Sequence, residues 1–274
     1  MRGLVAVVEH VVGQRGQAVL VDELVTAQLR IRSAGSTKAW KPMKPIDDVP
    51  TDQVNLWLML ALTFSTGVID AVGYLGLDNV FTGNMTGNVL LMGMAFAGGA
   101  DLPILRPALA LVFFMLGAVL AGRMLRRGPD GWSWRVSVAV MVVAAVLTLL
   151  AVFTALVDVQ VNAVLGSITT SCMSAAMGIQ AATAKRLKVA DITTVVITST
   201  ITGLASESKL AGGDGKLWVR RTLAPALLIG GAFGGAAALR MGLWLGLALS
   251  AVISTAVAIF GDVRYRRERG ARLP

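Results

Sequence analysis

Long uncharged apolar runs alternate with short charged stretches along most of this chain. After residue 52 eight such runs follow one another, at 53–69, 79–100, 107–122, 136–157, 159–184, 192–206, 222–239 and 241–261. A helix needs about 20 mostly apolar residues to cross roughly 30 Å of hydrocarbon, and six of the runs reach that with modest extension past their flanking charges. The other two differ. Run 79–100 contains FTGNMTGNVLLMG, whose first eight residues hold two asparagines, two threonines and two glycines, and run 192–206 is short and rich in threonine. Residues 192–202 are all β-branched except Ser199, which weakens helix preference and suits an extended or unwound stretch. Threonine hydroxyls can equally satisfy backbone carbonyls inside an ordinary membrane helix.

Composition agrees with the pattern. The 274 residues are 55% hydrophobic and only 15% charged, which excludes a water-soluble globular fold and predicts an all-α integral membrane protein. The net charge of +9 does not point to nucleic acid, because the basic residues fall between the runs and after the last one, where orientation signals belong. Cys172 is the only cysteine, so neither an intramolecular disulfide nor a thiol metal cluster is expected, and the residue reads as a small packing side chain.

Basic loops stay on the cytoplasmic side, which lets the arginines and lysines choose a topology. If all eight runs cross with the N-terminus inside, eight basic residues face outward against five in the inner loops, the wrong way round. If 79–100 and 192–206 instead dip in and return, the inner loops hold eleven and the outer ones only Arg106 and Arg240. Six crossings plus two re-entrant or broken segments, with both termini cytoplasmic, is the expected arrangement. Residues 1–52 form a separate region with seven Lys/Arg and six Asp/Glu, read as a cytoplasmic tail ending in a proline-rich linker. No signal peptide is expected there, since Glu9 and His10 interrupt the apolar stretch. GLVAVVEHVV could form a short amphipathic surface helix, and His10, the only histidine, reads as solvated. The membrane domain spans 53–262, and 263–274 is a basic tail.

The two halves of that domain, 53–157 and 159–261, resemble each other faintly. In each, a helix is followed by a polar segment with a Thr-Gly pair (Thr86-Gly87 and Thr202-Gly203), then by two more apolar runs. Three crossings per half would make the second half enter from the opposite face. Inverted repeats of this kind bring broken elements together near the midplane, where free backbone groups can coordinate a polar solute or ion. Non-helical backbone at that depth is tolerated only where protein or a water-filled cavity satisfies it. Gly83 and Gly87, four apart, can instead simply let two helices approach closely.

Asp70 is the one carboxylate well inside a run. Since a charge at the bilayer centre costs about 2.5 to 3.5 kcal/mol on insertion scales, it is a functional candidate. Thr63, Thr66, Gly67, Asp70, Gly73 and Tyr74 share its helical face. Two roles stand open: a site that loads and releases a proton or cation, or a structural carboxylate that bonds the TGNMTGN loop. The fourth crossing carries Ser167, Thr170, Ser171, Ser174 and Gly178 at helical spacing, with Gln180 near its inner end. Gly230, Gly231, Gly234 and Gly235 form two overlapping GxxxG pairs that suit close helix packing.

Enzyme chemistry finds no foothold: there is no HExxH, no Gly-x-Ser-x-Gly, no phosphate loop and no histidine in any run, so no catalytic residue, metal or cofactor is expected.

The stretch DAVGYLGLDNVFTGNMTGNVLLMG, together with MGIQAA and TSTITGLAS, resembles the YoaK-like family of bacterial multi-spanning inner-membrane proteins, which carry a domain of unknown function. The resemblance covers roughly 55–262. It implies that Asp70, Ala71, Gly73, Phe81, Asn84, Thr86, Gly87 and Asn88 are motif positions, with Gly178, Gln180, Thr202 and Gly203 a looser second set. Ala181 stands where an Asn is expected after the Gln. The family implies a location in the bacterial plasma (inner) membrane and no substrate.

The expected function is a small transporter or channel for a small polar solute or ion. Its pathway would be built from Asp70, Tyr74, Asn84, Thr86, Asn88, Gln180, Thr198 and Thr202, with Gly73, Gly83, Gly87 and Gly203 needed for backbone approach. The alternative is a non-transporting scaffold or regulator that docks a partner through its tails. The bilayer is the expected partner; nucleic acid is not, and small-residue faces permit a homodimer without requiring one.

Overall fold

The computed structural model describes residues 50–99, 102–129, 131–187, 197–213 and 218–270. Expectations for residues 1–49, and for 192–196, lie outside them. Eight α-helices occur among the described residues: α1 (Thr51–Gly76), α2 (Met85–Phe96), α3 (Leu105–Leu125), α4 (Trp134–Leu156), α5 (Ala163–Arg186), α6 (Ile197–Ser206), α7 (Trp218–Leu239) and α8 (Leu243–Gly270). Six are long and two, α2 and α6, are short, in the order expected from the runs.

Five of the long helices are both long and apolar enough to cross a membrane. The sixth, α5, has 24 residues, but its serines and threonines lower its hydropathy. It nevertheless runs the length of α3. Near its start Gly166 lies against the Arg106 side chain, and at its end Arg186 Nη2 donates to Gly128 O at 2.8 Å. At 12 residues, α2 is about 18 Å long by helix rise, too short to cross.

The ends of the helices sort into two groups. At one end, Thr51 Oγ1 donates to Glu268 Oε1 at 2.7 Å, Trp132 packs on Gly261, and Leu187 and Ala224 join Leu125 and Trp132 in one buried cluster. At the other, Gln160 Nε2 donates to Gly76 O at 3.1 Å, Leu239 and Leu243 sit against Gly76, and Arg106 Nη1 pairs with Asp78 Oδ2 at 2.9 Å. The segment holding α2 therefore leaves and rejoins the bundle at one end, and the segment holding α6 does so at the opposite end.

Lipid is as apolar as leucine, so close packing and buried hydrogen bonds must hold such helices together. Glycines provide that approach at two crossings. A Cβ on Gly67 would strike the Leu228 carbonyl and one on Gly231 the Phe64 carbonyl; likewise one on Gly178 would strike Phe114 O and one on Gly117 Ala175 O. Phe64 and Gly67 in α1 thus stand where Ala175 and Gly178 stand in α5, and Leu228 and Gly231 in α7 where Phe114 and Gly117 stand in α3. The neighbour relations repeat this. α1 packs on α7 and α8, α5 on α3 and α4, α4 on α8, α2 on α3 and α6 on α7; exchanging α1–α4 with α5–α8 leaves the list unchanged.

One expectation is corrected. The β-branched stretch is helical from Ile197 onward, because backbone groups in lipid must be satisfied within the segment and the helix does this whatever the side chains prefer. α8 continues past 262 through the basic stretch to Gly270, with Arg266–Asp262 and Arg264–Glu268 pairs one turn apart.

Candidate functional site

The site begins where α1 ends. Asp78 and Asn79 both adopt left-handed φ, 49° and 53°, a conformation that Asp and Asn tolerate better than most residues, and the chain turns back along α1. Gly73 makes this return possible: a Cβ there would lie 2.7 Å from Val80 O. Residues 81–84 then run beside Asp70, whose Oδ1 accepts the backbone N–H groups of Thr82 at 3.0 Å and Gly83 at 2.7 Å. The structural role foreseen for Asp70 has this geometry.

Asn88 holds the same loop from its other side. Fully buried, it accepts from Phe81 N at 2.9 Å and donates to Phe81 O at 2.6 Å, so one side-chain amide pairs with both polar groups of one residue, as a neighbouring strand would. Asn84 caps α2 by accepting from Gly87 N at 3.4 Å. Gly87 leaves room for the Phe81 ring, 2.7 Å from where its Cβ would be, and that ring stacks on Tyr74 with centroids 4.7 Å apart.

Gly83 faces the bundle interior, a Cβ there being 3.0 Å from Thr66 Cγ2 and 3.3 Å from Asp70 Oδ1. Beside it lies a cavity of about 20 Å³ between α1, α3 and α5, lined by Thr63, Thr66, Gly83, Met177, Gln180 and Ala181 among others. About 10–15 Å³ suffices for one water. Gln180, 4% exposed, reaches from α5 to α1, where its Nε2 donates to Thr66 Oγ1 at 3.0 Å and Leu62 O at 3.3 Å. Its Oε1 is buried without a hydrogen-bond partner among the described residues.

The structure thus brings together Asp70, Gly73, Tyr74, Gly83, Gly87, Asn88 and, through Thr66, Gln180. Thr86 is exposed on α2, Thr202 is exposed on α6 and Gly203 is partly buried there, while the side chain of Thr198 lies outside the described residues. The two Thr-Gly pairs are not at matching depths: Thr86 is the second residue of α2, whereas Thr202 is the sixth of α6. Thr63 and Thr66 were legible only as members of the Asp70 face. Thr82, fully buried with its Oγ1 unpartnered among the described residues, and the Arg106–Asp78 pair carried no sequence signal that set them apart.

A bundle of long apolar helices, flanked by two short ones and holding a buried polar site, is a multi-spanning membrane protein. The chain belongs to the family described as "Protein of unknown function (DUF1275)", whose model matches residues 58–260, close to the extent of the resemblance seen in the sequence. It is similar to the UPF0700 transmembrane protein YoaK of Bacillus subtilis (strain 168), 32% identical over 154 residues, which is 55% of this chain and 65% of that protein. The match spans less than two thirds of that relative. No solved structure matches.

Proposed function

We propose that this protein is a small inverted-repeat transporter or channel for a small polar solute or ion, with its permeation site at the α1–α5 contact beside the 81–84 loop. The observation that carries the reading is Gln180, whose Oε1 is a buried acceptor with no partner among the described residues and which is itself one of the residues lining a water-sized cavity. A buried polar group left unpaired costs about 1–3 kcal/mol, and such a cost persists where a solute or water repays it.

The repeat reading draws support from the matched glycine crossings and the interchangeable neighbour list. Two short helices approached from opposite ends of the bundle suit a site near the midplane. The end that gathers Arg123, Arg126, Arg127, Arg135, Lys185 and Arg186 with the arginines of α8 is the proposed cytoplasmic face of a bacterial inner membrane. No catalytic role is proposed, and a scaffold acting through its tails is the competing reading. Reconstitution of the full chain into liposomes with flux assays for small ions and polar solutes tests it. Flux that falls on substitution of Gln180 is the expected result; a protein without flux that loses its cellular role when residues 1–45 are deleted would favour the scaffold.

A further inference from the structure

The free valences around the cavity are one-sided. Thr63 Oγ1 donates its proton to Met59 O at 3.0 Å and Thr66 Oγ1 donates to Leu62 O at 2.9 Å, so each hydroxyl turns only lone pairs toward any other neighbour. The Gln180 amide is oriented by its two bonds to acceptors, because only Nε2 can face the Leu62 carbonyl. Its Oε1 is therefore another lone-pair group. The Asp70 carboxylate lies on the far side of Gly83, 3.3 Å from where a Cβ there would be. Neither Lys, Arg nor His is among the residues that line the space.

A chloride, nitrate or carboxylate placed there would meet hydroxyl lone pairs, with a carboxylate behind Gly83 and no charged donor in the lining to replace its hydration. A cation would meet what it requires. Two further hydroxyls extend the series: Thr170 and Ser174, on the same helical face as Ala181, are buried with Oγ atoms unpartnered among the described residues. Size narrows the class, since about 20 Å³ suits a body of about the size of a water molecule.

We infer that the α1–α5 cavity is a binding site for a small monovalent cation, of the size of ammonium, sodium or potassium, coordinated by Gln180 Oε1 and the hydroxyl oxygens of Thr63 and Thr66, with Asp70 as counter-charge. This rests on the transport reading for its flux but not for its binding, and the experiment separates the two. Purified full-length protein is melted in detergent with ammonium, sodium or potassium chloride against N-methylglucamine chloride, and reconstituted for flux of the same cations and of nitrate and formate.

At least one of the three small cations raises the melting temperature and crosses the liposome membrane at least tenfold faster than in protein-free vesicles. Both effects fall at least tenfold in concentration dependence or rate with Gln180→Leu. Thr63→Val, which removes one cavity oxygen while sparing every bond between helices, weakens both, and serves where Gln180→Leu does not fold. A cation-dependent melting shift lost in these variants, without any flux, supports the site and contradicts the transport reading. Flux of nitrate or formate with no cation effect overturns the cation site and leaves transport standing. No melting shift and no flux overturns both.

Discussion

Asp78 and Arg106 form an ion pair at 2.9 Å across the segment that contains α2. The one stands just after α1 and the other at the second residue of α3, so the chain between them begins and ends in one place. That contact, with the shortness of α2, marks α2 as a returning element rather than a crossing. Arg106 is 7% exposed and Asp78 65%, so the pair is anchored by the buried guanidinium, which also reaches Ala163 O at 3.5 Å.

Replacing Arg106 by Met should therefore lower stability by about 1–3 kcal/mol, chiefly by changing the filling of its buried surroundings and removing its bond to Ala163 at the start of α5. Asp78→Asn should cost under about 1 kcal/mol, because most of that carboxylate is already in water. Thermal unfolding of the two variants in detergent checks the order; equal losses would contradict it.

Asp70→Ala removes the acceptor of two backbone N–H groups, Thr82 and Gly83. Each buried donor left unpaired costs about 1–3 kcal/mol, so a marked fall in melting temperature and in membrane-inserted protein is expected. Asp70→Asn keeps one carbonyl oxygen and should recover much of that stability while removing the charge. If Asp70→Asn is as unstable as Asp70→Ala, the carboxylate matters as a charge within the fold.

Asn88→Leu strips both partners from the backbone of Phe81 and should destabilise by about 2–4 kcal/mol. Asn84→Ala removes a single long cap bond and should cost about 0.5–1 kcal/mol. Protease cleavage of the 77–84 segment in detergent, faster in the first variant than in the second, is the readout.

Gly178→Ala and Gly231→Ala should be among the most damaging single changes, because the added carbon meets a carbonyl of the crossing helix. Gly122→Ala, exposed on α3 with nothing within 4 Å of its Cβ, should instead be neutral or stabilise by up to about 1 kcal/mol. Melting temperatures of the three variants settle this.

How much of this was readable in the sequence varies by element. The long helices follow from the length and apolarity of their runs, and the short α2 from the polar start of its own. The helical state of Ile197–Ser206 was not readable, because β-branched propensity speaks for the isolated chain while lipid rewards any segment that closes its own hydrogen bonds. Asp70 and Gln180 stood out as polar residues in apolar runs. Thr63 and Thr66 did not, since a threonine bonded to the carbonyl one turn back is commonplace in a membrane helix. Nothing in a sequence tells which hydroxyl will also face a partner on another helix. The Arg106–Asp78 pair joins the turn after α1 to the start of α3, whose proximity arises from the return of α2.

That return is the central claim, and single cysteines test it most directly. In a Cys172→Ala background, Asn79→Cys and Ile104→Cys bracket α2, while Arg126→Cys and Lys185→Cys mark the other end of the bundle. Intact cells are treated with a membrane-impermeant thiol reagent, then again after the inner face is opened. Labelling of 79 and 104 from the same face, with 126 and 185 reached only from the opposite one, is the predicted result; labelling of 79 and 104 from opposite faces would show that α2 crosses and would end the account.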